Sequence, residues 1–301
     1  MPELPDVVVY IESLQRRIVG EKLQRLRIAS PFVLRSVKPP LSDFTGKTIT
    51  GIRRLGKQIV LEFEDDFFLI IHLMIAGRFQ WKEPGAKIPG KLGLAAFDLR
   101  TGTLLLTEAG TKKRASIHTA EGEAEVAAFN RGALEVLDSS PAEFKEALTR
   151  ENHTVKRTLT DPRLFSGIGN AYSDEILHRA RLSPLKLTLK LSDDEITRLY
   201  QATKSTLTEW LERLRKEAAT AFPSKVTAFR PEMAVHGRFN EPCPACGSPV
   251  QRIVYAENEC NYCATCQTGG KLLADRAMSR LLKDDWPRSI DEWELHIESR
   301  R

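Results

Sequence analysis

Apolar and polar positions repeat with two different periods along this chain, and the change between them divides it. Residues 5–19 (PDVVVYIESLQRRIV) place Val8, Ile11, Leu14 and Ile18 near helical spacing, with Pro5 suited to a first turn, so the chain opens on a helix. From Lys47 to about Ser116 the pattern becomes strand-like. Short runs rich in Ile, Val, Leu and Phe (TITGIRRL, QIVLEF, FFLIIHLM, LAAFDL, TLLLT) are separated by Gly, Asp and Pro turns, a spacing that predicts a sandwich or barrel. A helical period then returns. SPAEFKEALTR starts on Ser140–Pro141, and residues 171–181 and 192–217 follow as helices, the last opened by the cap-like Ser192. The helical pattern is lost between Phe222 and Pro242. A boundary is therefore expected near residues 130–140, β-rich before it and helical after it.

Composition adds little until the cysteines are placed. A chain of 301 residues with 42% hydrophobic and 28% charged positions has the make-up of an ordinary globular protein. No run approaches the roughly 18 apolar residues of a membrane span. No basic segment leads into an apolar stretch at the N-terminus, so a cytoplasmic, nucleoid-associated protein is expected. A net charge of +5 is compatible with a polyanionic partner without requiring one. All five cysteines fall between Cys243 and Cys266. Cys243-Pro-Ala-Cys246 and Cys263-Ala-Thr-Cys266, sixteen residues apart, have the spacing of a tetrahedral zinc site built from two knuckles. Four thiolates leave no open coordination position, so one structural zinc is expected, with Cys260 a spare thiol.

The other chemistry-bearing segment is Met1-Pro2-Glu3-Leu4-Pro5-Asp6. Removal of an initiator methionine before proline exposes a secondary amine. An α-amine has a pKa of about 7.7–8.0 against about 10.4 for lysine, so a usable fraction is nucleophilic at neutral pH. Its attack on a sugar C1′ would give a cationic iminium, an electron sink that promotes loss of the 3′ phosphate, with Glu3 beside it as acid for the ring oxygen. Lys57 lies at the tip of a strand–turn–strand (RRLGKQIVL). Gly167-Ile168-Gly169-Asn170 leads into a helix whose free N–H groups suit a phosphate.

Together the PELP start, the strand-turn lysine, the GIGN junction and the cysteine knuckles resemble the formamidopyrimidine-DNA glycosylase / endonuclease VIII family over about residues 1–267. The resemblance implies a multidomain α+β chain. Residues 1–130 would form a catalytic β-sandwich with an N-terminal helix, 131–240 a helix–two-turn–helix DNA-binding domain, 241–268 the zinc finger and 269–301 an extension. It implies Pro2 as nucleophile, Glu3 as acid, Lys57 as the hairpin lysine, and Lys156 and Asn170 as phosphate ligands. A monomer with damaged DNA in the cleft between the domains is expected, the nucleotide flipped out to Pro2.

The sequence departs from that pattern mainly in DNA handling. Asn258 stands where the finger arginine is expected. The void-filling methionine is displaced to Met74 or Ile75 within HLMIAG. The Arg-Phe element is missing, and Lys112, Lys113 and Arg114 occupy its region as candidate phosphate grips. Asp6 replaces the usual acidic residue, and the extension, with seven basic and seven acidic residues, is no nucleic-acid arm. Two functions follow. One is a bifunctional glycosylase/AP lyase for oxidised or ring-opened bases. The alternative is a binder of damaged or structured DNA that has lost turnover.

Overall fold

The computed structural model describes residues 1–224, 226, 229–255, 258–273, 289, 290 and 292. Most of the extension expected at 269–301 lies outside the described residues, as do Lys225, Thr227 and Ala228. The chain forms two compact units, Met1–Ala133 with Thr208–Ala228, and Leu134–Leu207 with Phe229–Arg301.

The first unit opens with α1 (Leu4–Ile18), whose apolar face carries Val7, Tyr10, Leu14 and Ile18 into the core. Eight strands follow: β1 (Arg25–Ile28), β2 (Ile49–Leu55), β3 (Gln58–Phe63), β4 (Phe67–His72), β5 (Gly77–Lys82), β6 (Gly93–Asp98), β7 (Thr103–Glu108) and β8 (Ser116–Glu121). They make two antiparallel four-stranded sheets, in the orders β1-β6-β7-β5 and β2-β3-β4-β8. Ile59, Leu61 and Phe63 of β3 share one core with Leu104 and Leu106 of β7 and with Phe97, so the sheets form a sandwich. The intervening Val60, with Phe68 and Ile70 of β4, faces the other way onto Val126 of α2 (Glu123–Ala127). Period-two alternation thus buries both faces of this sheet, which accounts for its near-continuous apolar runs. Val8 and Val9 of α1 pack on Leu211, Leu214 and Ala218, residues the chain returns from far downstream.

The second unit contains α3 (Pro141–Thr149), α4 (Val155–Thr160), α5 (Asn170–Arg179) and the start of α6 (Asp193–Glu217). Ser140 and Glu143 close a capping box on α3, and Thr154 caps α4 through the Arg157 N–H. Phe144 and Phe165 meet at 5.1 Å in its core. The hairpin β9 (Val250–Tyr255) and β10 (Asn258–Cys263) then leads into α7 (Ala264–Thr268). No helix among the described residues is long and apolar enough to cross a membrane.

Candidate functional site

The N-terminus of α1 is fixed by its own first residues. Glu3 is the N-cap, and its N–H donates to Asp6 Oδ2 at 3.0 Å while its carboxylate takes the Asp6 N–H in return. Pro2, Glu3 and Asp6 are all buried. A shortened acidic side chain at position 6 therefore still completes the reciprocal cap. The amino group of Met1, one residue before Pro2, is held below the usual α-amine range. Burial is the main cause, the charges of Arg78 and Lys57 add to it, and Glu3 and Asp6 oppose it. The positive end of α1 disfavours an ammonium there as well.

Lys57 reaches this neighbourhood from the turn between β2 and β3, where Gly56 adopts φ +62 and Leu55 pairs with Gln58. Its ammonium is also pushed below the ordinary lysine range by burial, against the attraction of Glu3. His72, opposite Gln58 on β4, is pushed down to about 4 by burial and by the Lys57, Arg131 and His118 charges. It is therefore neutral, and its Nδ1 accepts the Met74 N–H at 2.9 Å.

That bond holds Met74 at φ +52 and turns the following residue outward, leaving Ile75 55% exposed. Gly77 closes the turn, where a Cβ would stand 2.2 Å from the Leu73 carbonyl. Arg78 braces it by donating to the carbonyls of Gly77 (2.6 Å) and Ile75 (3.2 Å). The neighbouring segment after β7 is organised by Glu108, a buried carboxylate that accepts the Arg114 and Ala115 N–H groups at 2.9 and 3.1 Å. Lys113 donates its ammonium to the Glu108 carbonyl. Lys112 and Arg114 are exposed and Lys113 is half-buried, so the three basic residues differ in what they present.

In the second unit, Lys156 Nζ donates to the Asn170 carbonyl at 2.8 Å and to Asp174 Oδ1 at 2.5 Å. Asn170 opens α5 after Gly169 and donates its side-chain N–H to the Glu259 carbonyl at 2.7 Å. Asp174 also faces His236 Nδ1 at 2.8 Å, and the adjacent Glu175 accepts the N–H groups of Ala234, Val235 and His236. Two successive acidic residues of α5 therefore pin the irregular segment leading to the cysteines.

The sulfurs of Cys243, Cys246, Cys263 and Cys266 lie within 4.8 Å of one another, a cluster that can hold a metal ion. Cys246 and Cys263 are 3.4 Å apart and Cys243 and Cys266 4.0 Å. A tetrahedron with Zn–S of about 2.3 Å needs sulfurs about 3.8 Å apart, so the donor set fits zinc in number, chemistry and span. The Cys266 N–H points at Cys263 Sγ, and His178 Nε2 sits 3.2 Å from Cys243 Sγ, the kind of outer partner that fixes a thiolate. Cys260 is outside the cluster. It packs with Ile253, Tyr262 and Ala264, and burial together with the Asp174 charge pushes its thiol pKa up. It is a buried thiol that fills the finger's core and hydrogen-bonds to the Asp174 carboxylate.

Sequence reasoning did not single out Arg78, His178, Asp174 or His236. Each acts across a fold contact rather than along a motif, and only the DE pair after GIGN carried a local hint, as two acidic residues one turn into a helix.

Two family domain descriptions match the chain: the formamidopyrimidine-DNA glycosylase N-terminal domain over residues 1–117 and the H2TH domain of the same enzymes over residues 135–221. A formamidopyrimidine-DNA glycosylase of Pelotomaculum thermopropionicum is 30% identical over 278 residues, spanning 89% of this chain and 99% of that one. A formamidopyrimidine-DNA glycosylase-like protein of Mycobacterium tuberculosis is 42% identical over 149 residues, which is 50% of this chain and 92% of the relative. Among solved structures, a point mutant of the Lactococcus lactis enzyme bound to Fapy-dG-containing DNA superposes with a TM-score of 0.77 at 26% identity, covering 89% of this chain and all (100%) of that one. MutM bound to DNA containing carbocyclic 8-oxo-G gives 0.77 at 27% identity, again over 89% of this chain and 100% of the other. With this agreement of sequence, fold and cysteine cluster, the chain belongs to the formamidopyrimidine-DNA glycosylase family.

Proposed function

We propose that this chain is a base-excision DNA glycosylase with AP lyase activity, using the amine of Pro2 once Met1 has been removed. The observation that carries this reading is the buried Pro2–Glu3 pair at the N-cap of α1, next to a Met1 amine that burial and the Arg78 and Lys57 charges hold below the usual range. The neutral amine attacks C1′ of the damaged nucleotide. The N–C1′ bond forms, the glycosidic bond breaks, and the base leaves with the bonding pair. Glu3 delivers a proton to the ring oxygen as the sugar opens, and the amine loses its own proton to leave an iminium. Loss of a C2′ proton then expels the 3′ phosphate by β-elimination, and water releases the enzyme. Lys57 sets a positive charge against the reacting centre throughout.

Around this chemistry, Lys156 and Asn170 hold phosphate, Lys112, Lys113 and Arg114 grip the backbone, and Met74 or the more exposed Ile75 fills the space left by a flipped nucleotide. One zinc fastens the finger. The substrate class is oxidised or ring-opened bases, like the Fapy-dG and carbocyclic 8-oxo-G carried by the DNA bound to the Lactococcus protein and to MutM.

Borohydride reduction on abasic-site DNA tests the reading. The expected result is a covalent protein–DNA adduct that maps by mass spectrometry to a mature N-terminal Pro2. Absence of an adduct on any abasic or oxidised substrate, with tight binding retained, would instead establish the non-catalytic DNA binder, the reading that Asn258 at the finger-arginine position favours.

The pH dependence follows from the charge beside the amine. Attack needs the unprotonated amine, and the Arg78 charge, which lowers the Met1 amine, is expected to act on the neighbouring Pro2 amine in the same sense. Arg78→Gln removes that repulsion, raises the amine pKa, and so moves the acid limb of the single-turnover rate profile to higher pH. Single-turnover kinetics across pH check this; an acid limb that stays in place removes Arg78 from the account.

A further inference from the structure

Asp174, on the second turn of α5, is a buried carboxylate that the proposed chemistry does not use. Its side chain has no exposed surface. Oδ1 accepts from Lys156 Nζ at 2.5 Å, Oδ2 faces His236 Nδ1 at 2.8 Å, and the Cys260 thiol bonds to the same carboxylate. A charge this deep persists only when it is paired, and Lys156 supplies the matching charge. The Lys156 side chain keeps 14% of its surface in solvent, so the carboxylate lies on the inner side of the ammonium. The Asn170 carbonyl takes a second ammonium donor at 2.8 Å, which leaves one of three facing outward.

This arrangement separates two things that an exposed lysine offers a phosphate together, a charge and a hydrogen bond. Coulomb energy falls as the inverse of distance, and the carboxylate stands 2.5 Å behind the ammonium. For a phosphate about 10 Å out along that line, the carboxylate cancels about four-fifths of the lysine's pull. At a contact of about 3 Å it cancels about half, and the third donor adds its hydrogen bond there. The site is therefore nearly neutral to a distant DNA backbone and attractive to a phosphate already in place.

We propose that Asp174 is a positioning residue that sets specificity. By matching the charge of Lys156, it makes this contact register where a phosphate lies instead of attracting phosphate in general, and so lowers binding to undamaged DNA. The proposal rests on the reading of this chain as a DNA-acting enzyme with Lys156 on a phosphate.

Full-length Asp174→Asn isolates the charge. The amide has the same shape; its oxygen accepts from Lys156 and its nitrogen donates to His236 Nδ1 in the other tautomer. Binding of an undamaged duplex is measured from about 50 to about 200 mM salt at one pH. Asp174→Asn is expected to bind more tightly at the lowest salt and to lose about 3- to 4-fold more of its affinity over that range. One added cation steepens log Kobs against log[salt] by about 0.9. Asp174→Ser removes the same charge with a smaller side chain and should do likewise, so either variant decides if the other fails to fold. Adding Lys156→Gln to Asp174→Asn should restore the wild-type slope, a reversal that a merely structural Asp174 would not give. An unchanged slope in a folded variant, or a steeper one that Lys156→Gln does not reverse, overturns the role of Asp174. Absence of duplex binding by wild type at the lowest salt overturns the DNA reading and this inference with it. Failure of borohydride trapping in wild type would remove the lyase reading alone and leave the salt result standing.

Discussion

Pro2→Gly is expected to reduce the borohydride-trapped adduct on abasic DNA by on the order of 10²-fold or more while leaving binding to a tetrahydrofuran duplex in place. The glycine variant does not lack an amine, so the loss must come from two properties of proline. A secondary amine that condenses with C1′ gives an iminium that is cationic at every pH. A primary amine gives an imine that is an electron sink only after protonation. The pyrrolidine ring also locks its own φ, so the nucleophile enters α1 in one geometry immediately before the Glu3–Asp6 cap. Glycine at the same place lets the amine swing away from C1′, and a displacement of about 1 Å costs rates of this size. Gel quantification of the adduct decides the outcome, with peptide mapping to find the trapped nitrogen. Lys57 is the amine to watch, since burial pushes its ammonium below the ordinary lysine range and makes it the competing nucleophile. Full-strength trapping at the glycine amine would end the case for proline, and trapping that moves entirely to Lys57 would exchange the two roles.

How much of this was legible depends on how locally each feature is made. The cysteine knuckles fold through contacts within a few residues, and their spacing alone predicted the cluster that the four sulfurs form. The central strands β3, β4 and β7 are buried on both faces or nearly so, and their apolar runs stand out. Two of the edge strands are another matter. β5, with the sequence GRFQWK, and β8, SIHTAE, each end a sheet, carry polar side chains, and match none of the runs. Six-residue α4 is too short for a period to show, although it carries Lys156. A contiguous division near residue 130 likewise leaves out Thr208–Ala228, which cluster with the first unit because Leu211, Leu214 and Ala218 cover Val8 and Val9 of α1. Nothing periodic in a helix tells which of two cores its apolar face will meet. The same limit applies to the site: Pro2, Glu3 and Lys57 were nameable from motifs, whereas Arg78 and the Asp174–His236 pair exist only once strands and helices are packed.

Cys263→Ala should release the metal and unfold the finger, the largest structural effect expected of any single substitution here. Cys263 is buried, pairs with Val250 at the end of β10, starts α7, and accepts the Cys266 N–H on its sulfur. In the proposed zinc site its thiolate is one of four ligands, and three sulfurs hold zinc far less firmly than four. Among the described residues the finger's buried apolar side chains are Ile253, Cys260, Tyr262, Ala264 and Leu272, with Val235 and Val250 packed against the cysteines. Zinc binding is worth about 10–16 kcal/mol in isolated fingers, more than so small a core supplies, so metal loss and unfolding should be one event. Elemental analysis is expected to fall from one zinc per chain to none, with hydrogen exchange rising sharply across β9 and β10. The sandwich should survive, because its core of Leu61, Leu69, Phe97 and Leu106 draws on no residue of the finger. A chelator should reproduce the variant in the wild-type protein. Since Asn170 donates to the Glu259 carbonyl of β10, the loss should also free the N-terminus of α5 and weaken DNA binding through Lys156 and Asn170. Retention of a full equivalent of zinc by Cys263→Ala would show that the four sulfurs are not the ligand set. Retention of hairpin protection after zinc has left would show that packing, and not the metal, holds β9 against β10.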